Sequence, residues 1–312
     1  MDFNQRISAL LQLQLSPLNW DSTLKECDSI EADNLYIPSG FLWVVEYMRY
    51  QIELARSNRK TAAHHLKLAI EQNPYSDQLL QLYQQLQPAA SPDVAPFAAL
   101  IVAEGLPAPA LALAERLHAA GIEYAILADA QASLQSHSRV IRVDTPAGYE
   151  NQARKVVAGM TWLHENISPN LGVLRIGQEM LLQDPQRLLE RLRLMAAGEV
   201  YAGVTTTDGI QHDRCRHWGR CADEALNRRV YNKPFYRAWA AEDAYFLGAA
   251  AVRKLVLSMI RFPARFDGEY YEDKLIGDIM LFEGIELTGW QDYADLGLAQ
   301  RQAGGAIEQE QA

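Results

Sequence analysis

Cysteine is scarce, with Cys27, Cys215 and Cys221 the only three in 312 residues. So few cannot build a disulfide scaffold, and a reducing compartment is the simplest setting for them. Positive charge is in deficit: 29 Lys and Arg stand against 39 Asp and Glu, a formal net charge of −10. A general nucleic-acid binder needs a basic face to neutralise phosphates, so no nucleic-acid partner is expected, although a local basic pocket for one nucleotide is compatible with this balance. Apolar runs are short. None reaches the roughly 18 residues of a transmembrane helix, so no membrane span is expected. The opening MDFNQRISALLQLQLSPLNW lacks a basic stretch followed by a long apolar one, so no signal peptide is expected. These absences imply a cytoplasmic protein, at most peripheral to the inner membrane. A Gly-rich phosphate loop is also missing, since the turn after the first expected strand reads AEGLPAP.

What is present is ample apolar material, 49% of residues, enough for a sizeable core. Residues 1–90 read as an all-α domain. Leu42, Val45, Met48 and Ile52 recur at the three- and four-residue spacing of one buried helix face. Ala62, Leu66, Ala69 and Ile70 form a second stripe that Asn73 and Pro74 should end, because proline disfavours a helical residue before it. Ser76 and Asp77 can cap a third helix. The pattern resembles one tetratricopeptide unit; no clear second copy follows, and a plain helical bundle reads equally well. Helices of this kind could dock a protein partner. PAASPDVAP, 88–96, reads as a linker.

Beyond it the periodicity changes. Short apolar runs at PFAALIVAEG, EYAILADA, RVIRVDTP and LGVLRIG read as strands, separated by the helical stretches ALALAERLHAAG and YENQARKVVAGMTWLHENI. Alternation of this kind predicts an α/β domain, 97–300, with a mostly parallel sheet sandwiched by helices. Ligands in such sheets bind outside the carboxyl ends of the strands, near which Asp129, Asp144 and Glu179 fall. Residues 301–312 read as a flexible tail.

Four stretches carry a family resemblance. They are Tyr149 and Asn151 followed by Lys155 and Trp162; Asp184, Pro185 and Arg187 opening a helix; WAAEDAYFLGAAAV from Trp239; and Glu272–Asp273 with Gly277. In this order and spacing, over about residues 97–290, they resemble the β-1,3-glycosyltransferases of the galactosyltransferase and Fringe group. The resemblance implies a GT-A fold and transfer of a hexose from a UDP-sugar donor to the hydroxyl of a glycan acceptor, with inversion, in surface polysaccharide or glycan synthesis. It implies a carboxylate base at Asp273, because the attacking hydroxyl must lose a proton. Glu272 and Asp273 also suit a helix N-terminus, where negative charge is favoured.

The family's Mn²⁺ or Mg²⁺ is held by a D-x-D triplet that bridges the donor phosphates. Here the corresponding residues are Gly177, Gln178 and Glu179, which leaves Glu179 as the one strong metal ligand. Three outcomes stay open: weakened metal binding through Glu179, metal-free catalysis with Arg175 or Lys155 offsetting phosphate charge, and loss of transferase chemistry. Asp129, Asp144, Lys155 and Arg175 are the expected donor-binding residues. Trp218, Tyr236, Trp239 and Glu272 are the expected acceptor side, since aromatic faces suit sugar C–H surfaces. His212, Cys215, His217 and Cys221 have the chemistry for zinc, but their spacing matches no zinc framework. That segment reads instead as an acceptor-side loop, with His217 and Trp218 able to meet a sugar. The alternative to an enzyme is a non-catalytic glycosyltransferase-like scaffold or glycan-binding protein that has lost the metal site.

Overall fold

The two apolar stripes of the N-terminal region make helices because each puts its apolar residues on one side of a 3.6-residue turn. In the computed structural model, which describes residues 2–33, 40–87, 96–103, 107–128, 140–142, 148–195, 198–206, 217–231, 233 and 238–301, five helices precede the first strand. They are α1 (Phe3–Gln12), α2 (Trp20–Asp33), α3 (Leu42–Ala55), α4 (Arg59–Gln72) and α5 (Asp77–Leu86). Val45, Met48 and Ile52 of α3 are buried and Leu42 is half-buried; Ala62, Leu66, Ala69 and Ile70 of α4 are all fully buried. Asp2 and Gln5 form a capping box on α1, and the Ser76 hydroxyl accepts from the Leu79 N–H at the start of α5. Most of the expected linker, Asp129, Asp144, Tyr236, His212, Cys215 and the tail beyond 301 lie outside the described residues.

The chain divides into two compact units, and the first is not one continuous stretch: Leu257–Ala264 joins Met1–Pro88. Within that unit Arg261 Nε donates to the Pro74 carbonyl at 2.7 Å, and the rings of Tyr75 and Phe262 lie 5.9 Å apart.

The second unit is built on a sheet. Its strands are β1 (Phe97–Val102), β2 (Glu123–Ala128), β3 (Val140–Arg142), β4 (Gly172–Gly177), β6 (Tyr201–Thr206), β7 (Trp239–Gly248) and β8 (Leu287–Trp290). They form a seven-stranded sheet in the order β3-β2-β1-β4-β7-β6-β8. Only β7 runs against its neighbours, so the sheet is mostly parallel. A separate antiparallel pair joins β5 (Met180–Leu182) to β9 (Leu298–Gln300). Among the described residues the helices α6 (Pro107–Ala119), α7 (Gln152–Asn166), α8 (Pro185–Met195) and α10 (Glu272–Phe282) belong to this unit, as does α9 (Ala249–Arg261) up to Val256.

β1 is buried at every position, as a strand covered on both faces must be. Phe97, Ala99 and Ile101 pack in one core with Leu113 and Leu117 of α6 and Leu188 and Leu192 of α8. The alternate positions face the other layer. There Gly159 of α7 sits so close that a Cβ would lie 3.0 Å from both methyl carbons of Leu100. The same alternation aims Arg175 of β4 and Tyr245 of β7, which pair across the ladder, at α10. The polar residues needed for a site thus reach the α7–α10 layer at the end of the sheet where β1, β4 and β6 finish.

Candidate active site

Asp273 lies in the first turn of α10 and is buried. Its Oδ2 accepts the indole N–H of Trp239 at 2.8 Å, and its Oδ1 accepts the Lys274 backbone N–H at 2.8 Å. The helix start provides free N–H groups for a carboxylate, and Trp239 fixes its other oxygen. One carboxylate is therefore held in one orientation by two elements, the opening of β7 and the opening of α10. Trp239 is only 2% exposed, so its indole serves chiefly as a donor to Asp273, and little of its face is free for a sugar.

Glu272, the neighbouring residue, is deeper still. Arg175 Nη2 donates to it at 2.9 Å, and the Tyr245 hydroxyl donates to its other oxygen. Burial drives the Glu272 carboxyl up to about 7, against the opposing pull of Arg175 and the Tyr245 bond; the nearby charge of Asp273 adds to the rise. Arg175 is 4% exposed and tied to Glu272, and its Nε has no hydrogen-bond partner among the described residues. The expected donor-binding arginine is thus engaged inside the protein, and the expected acceptor-side Glu272 is its partner. Lys155 is buried on α7 as well.

Glu242, on β7, is not among the residues singled out from the sequence. It is half-buried, and burial followed by the charge of Asp273 raises its carboxyl, with Arg175 and Arg220 opposing. Its own strand places it there: β7 pairs antiparallel with β4, Arg175 opposite Tyr245 and Ile176 opposite Ala244. The paired ladder ends there, and Glu242 lies two residues beyond it on β7.

Residues 217–231 close one side of the site. His217 is fully buried; its Nε2 lies 2.7 Å from the Arg229 carbonyl and its Nδ1 3.0 Å from the Tyr271 hydroxyl. A carbonyl only accepts, so Nε2 carries a proton, and Nδ1 pairs with the Tyr271 hydroxyl. With both nitrogens used and no exposed face, His217 does not meet a sugar; it clamps the loop to the residue before Glu272. Trp218 is 50% exposed, with its N–H on the Arg229 carbonyl at 3.2 Å, and so keeps an accessible face. Arg220 lies over the Tyr149 ring at 4.1 Å, and Glu150 accepts the backbone N–H groups of Ala222 and Asp223. Tyr149 meets Tyr271 edge to face at 6.4 Å. Of the sequence motifs, those at Tyr149, at Trp239 and at Glu272–Asp273 converge on one place.

Glu179 is exposed on the turn between β4 and β5. Among the described residues no group of three or more His, Cys, Asp or Glu side chains is placed to hold a metal ion. The described donors do not make a protein-built metal cage, and Glu179 stands on its turn as a single exposed carboxylate. Cys221 is buried, and burial pushes its thiol up to about 11, away from the thiolate a metal ligand needs. No helix among the described residues is long and apolar enough to cross a membrane. No protein-family model matches this chain, and no curated protein matches it.

Proposed function

We propose that the chain is an inverting hexosyltransferase that moves a sugar from a UDP-sugar to a hydroxyl of a glycan acceptor. The observation that carries this is the setting of Asp273: a carboxylate fixed by Trp239 and by its own helix start, at the carboxyl edge of a mostly parallel sheet. Asp273 takes the proton of the acceptor hydroxyl as that oxygen bonds to the anomeric carbon. The anomeric carbon–oxygen bond breaks with its electron pair leaving on UDP, and attack from the opposite face inverts the centre. Trp239 holds the base in line, and a fixed base needs no reorganisation as the proton moves. Trp218, with its accessible face, lies on the loop that borders the site and suits an acceptor sugar.

The test has two arms. Calorimetric titration with UDP, UDP-galactose and UDP-N-acetylglucosamine, with and without Mn²⁺, should give saturable binding of at least one nucleotide. Asp273→Asn should then bind the donor but lose transfer by about 10²–10⁴-fold, the usual contribution of a positioned base. Full transfer in that variant removes Asp273 as the base. Absence of nucleotide binding under all conditions removes the transferase reading and leaves the non-catalytic glycan-binding one.

A further inference from the structure

Beside α10 lies a concavity that has Trp239, but not Asp273, in its wall. It is a cavity of about 490 Å³ between α10 and strands β6 and β8, with Tyr201, Thr205, Trp239, Asp278, Leu281 and Leu287 among its walls. That volume is within the roughly 300–1,000 Å³ of small-molecule sites. Close packing makes room for it: a Cβ on Gly277, another wall residue, would lie 2.5 Å from the Trp239 Cβ, so α10 rests its backbone against the indole side chain.

The wall chemistry selects among ligands. Among the described residues no Lys, Arg or His lines the cavity, while Asp278 and Glu286 do, so a phosphate or carboxylate ligand would find no cation on its wall. The Asp278 charge is already matched by Lys274 Nζ at 2.5 Å, which leaves Asp278 a hydrogen-bond acceptor more than an unmet charge. Leucine side chains and the Trp239 edge supply an apolar surface. The Tyr201 hydroxyl supplies a donor: its oxygen accepts the Ala240 N–H at 2.8 Å, and among the described residues its own proton has no acceptor. Tyr201 is 2% exposed, and its Oη lies 3.5 Å from the position of a Gly277 Cβ, at the cavity wall. A buried donor of this kind costs free energy until something accepts from it.

We propose that this cavity is a binding site for a neutral, hydroxyl-rich ligand with one apolar face, a mono- or disaccharide, with Tyr201 donating to it and Asp278 accepting from it. The site is distinct from the Asp273 centre and does not depend on the transferase reading. The two share Trp239, which lines the cavity while its N–H holds Asp273. Occupancy is therefore reported by Trp239.

The full chain, labelled with 5-fluorotryptophan, serves as the assay, with the Trp239 ¹⁹F signal assigned by its loss in Trp239→Phe. No nucleotide is added, so failure here and failure of the transferase reading are separate results. The probes are methyl β-galactoside, methyl β-glucoside, lactose, N,N′-diacetylchitobiose and, as a cationic control, glucosamine. At least one neutral saccharide should shift the Trp239 signal saturably. Tyr201→Phe should weaken that binding by about tenfold, the loss of one neutral hydrogen bond. Thr205→Phe, which fills the cavity from the exposed end of β6, should abolish it and keeps the test available if Tyr201→Phe does not fold. A silent Trp239 signal with every probe overturns the proposal. So does a shift that survives Thr205→Phe, or one produced by glucosamine alone.

Discussion

Replacing Glu272 by glutamine tests the electrostatics of the site without any substrate. In the folded chain the Glu272 carboxyl is pushed up to about 7 from an ordinary 4.5, first by burial and then by Asp273 and Glu242, with Arg175 and Tyr245 opposing. In the unfolded chain it reverts. Below pH 4.5 both states hold the proton, and Glu272 adds no pH dependence. Between 4.5 and about 7 the unfolded chain releases the proton while the folded one keeps it, so each rise in pH favours unfolding. Above 7 both are ionised and the loss is complete. A gap of this size corresponds to on the order of 3 kcal/mol. The introduced amide cannot titrate, and the unpaired Arg175 it leaves stays charged throughout, so its cost is a constant offset. Urea unfolding of both proteins at pH 5, 6, 7 and 8 isolates the pH-dependent part. The wild-type advantage over Glu272→Gln should be greatest at pH 5 and fall by up to about 3 kcal/mol by pH 8. A difference that stays constant across that range would mean that Arg175 keeps Glu272 ionised throughout, and would refute the dominance of burial.

Three smaller perturbations follow from packing and capping. Trp239→Phe removes the N–H that holds Asp273, and should cost about 1.5–3 kcal/mol in unfolding free energy because the acceptor is charged; it should also lower transfer by reducing kcat more than it raises KM. Gly159→Val places a branched side chain against Leu100 and should destabilise by about 1–3 kcal/mol, visible as a lower Tm on thermal melting. Ser76→Ala removes the cap of α5 and should cost about 1 kcal/mol, with no effect on nucleotide or saccharide binding.

The helices and the first strands are legible in the sequence because their signals are local. The stripe Ala62, Leu66, Ala69, Ile70 states its own buried face, and Phe97–Val102 is apolar throughout because both its faces are covered. The joining of Leu257–Ala264 to the helical unit is not legible, since nothing in that stretch marks where the tertiary fold will carry it. β7 is also obscured. Its segment WAAEDAYFLG has neither clean alternation nor a purely apolar run, because its first half serves the site and its second half the core: Ala244, Phe246 and Leu247 are fully buried, while Ala241, Glu242 and Asp243 are partly exposed.

That split explains which site residues the sequence discloses and which it hides. Asp273 can be singled out because its neighbours Glu272 and Gly277 travel with it along one helix. Glu242 becomes significant only when β7 lies antiparallel to β4, and no residue near it announces that pairing. The one local clue is a Glu-Asp pair inside an otherwise apolar stretch, which a core strand would reject unless the charges met partners or water. They do: Asp243 accepts from Gln300 Nε2 at 2.8 Å and from the Tyr293 hydroxyl at 3.2 Å, and Glu242 stays half-exposed beside Asp273. Reading Gly177, Gln178 and Glu179 alone therefore understates the negative charge at this edge of the sheet. Any nucleotide bound there must meet Glu242 and Asp273 with Arg175 already committed to Glu272. Arg220, exposed over the Tyr149 ring, is a cation whose charge opposes the rise of the Glu242 carboxyl, and a donor phosphate held without a metal would draw on it.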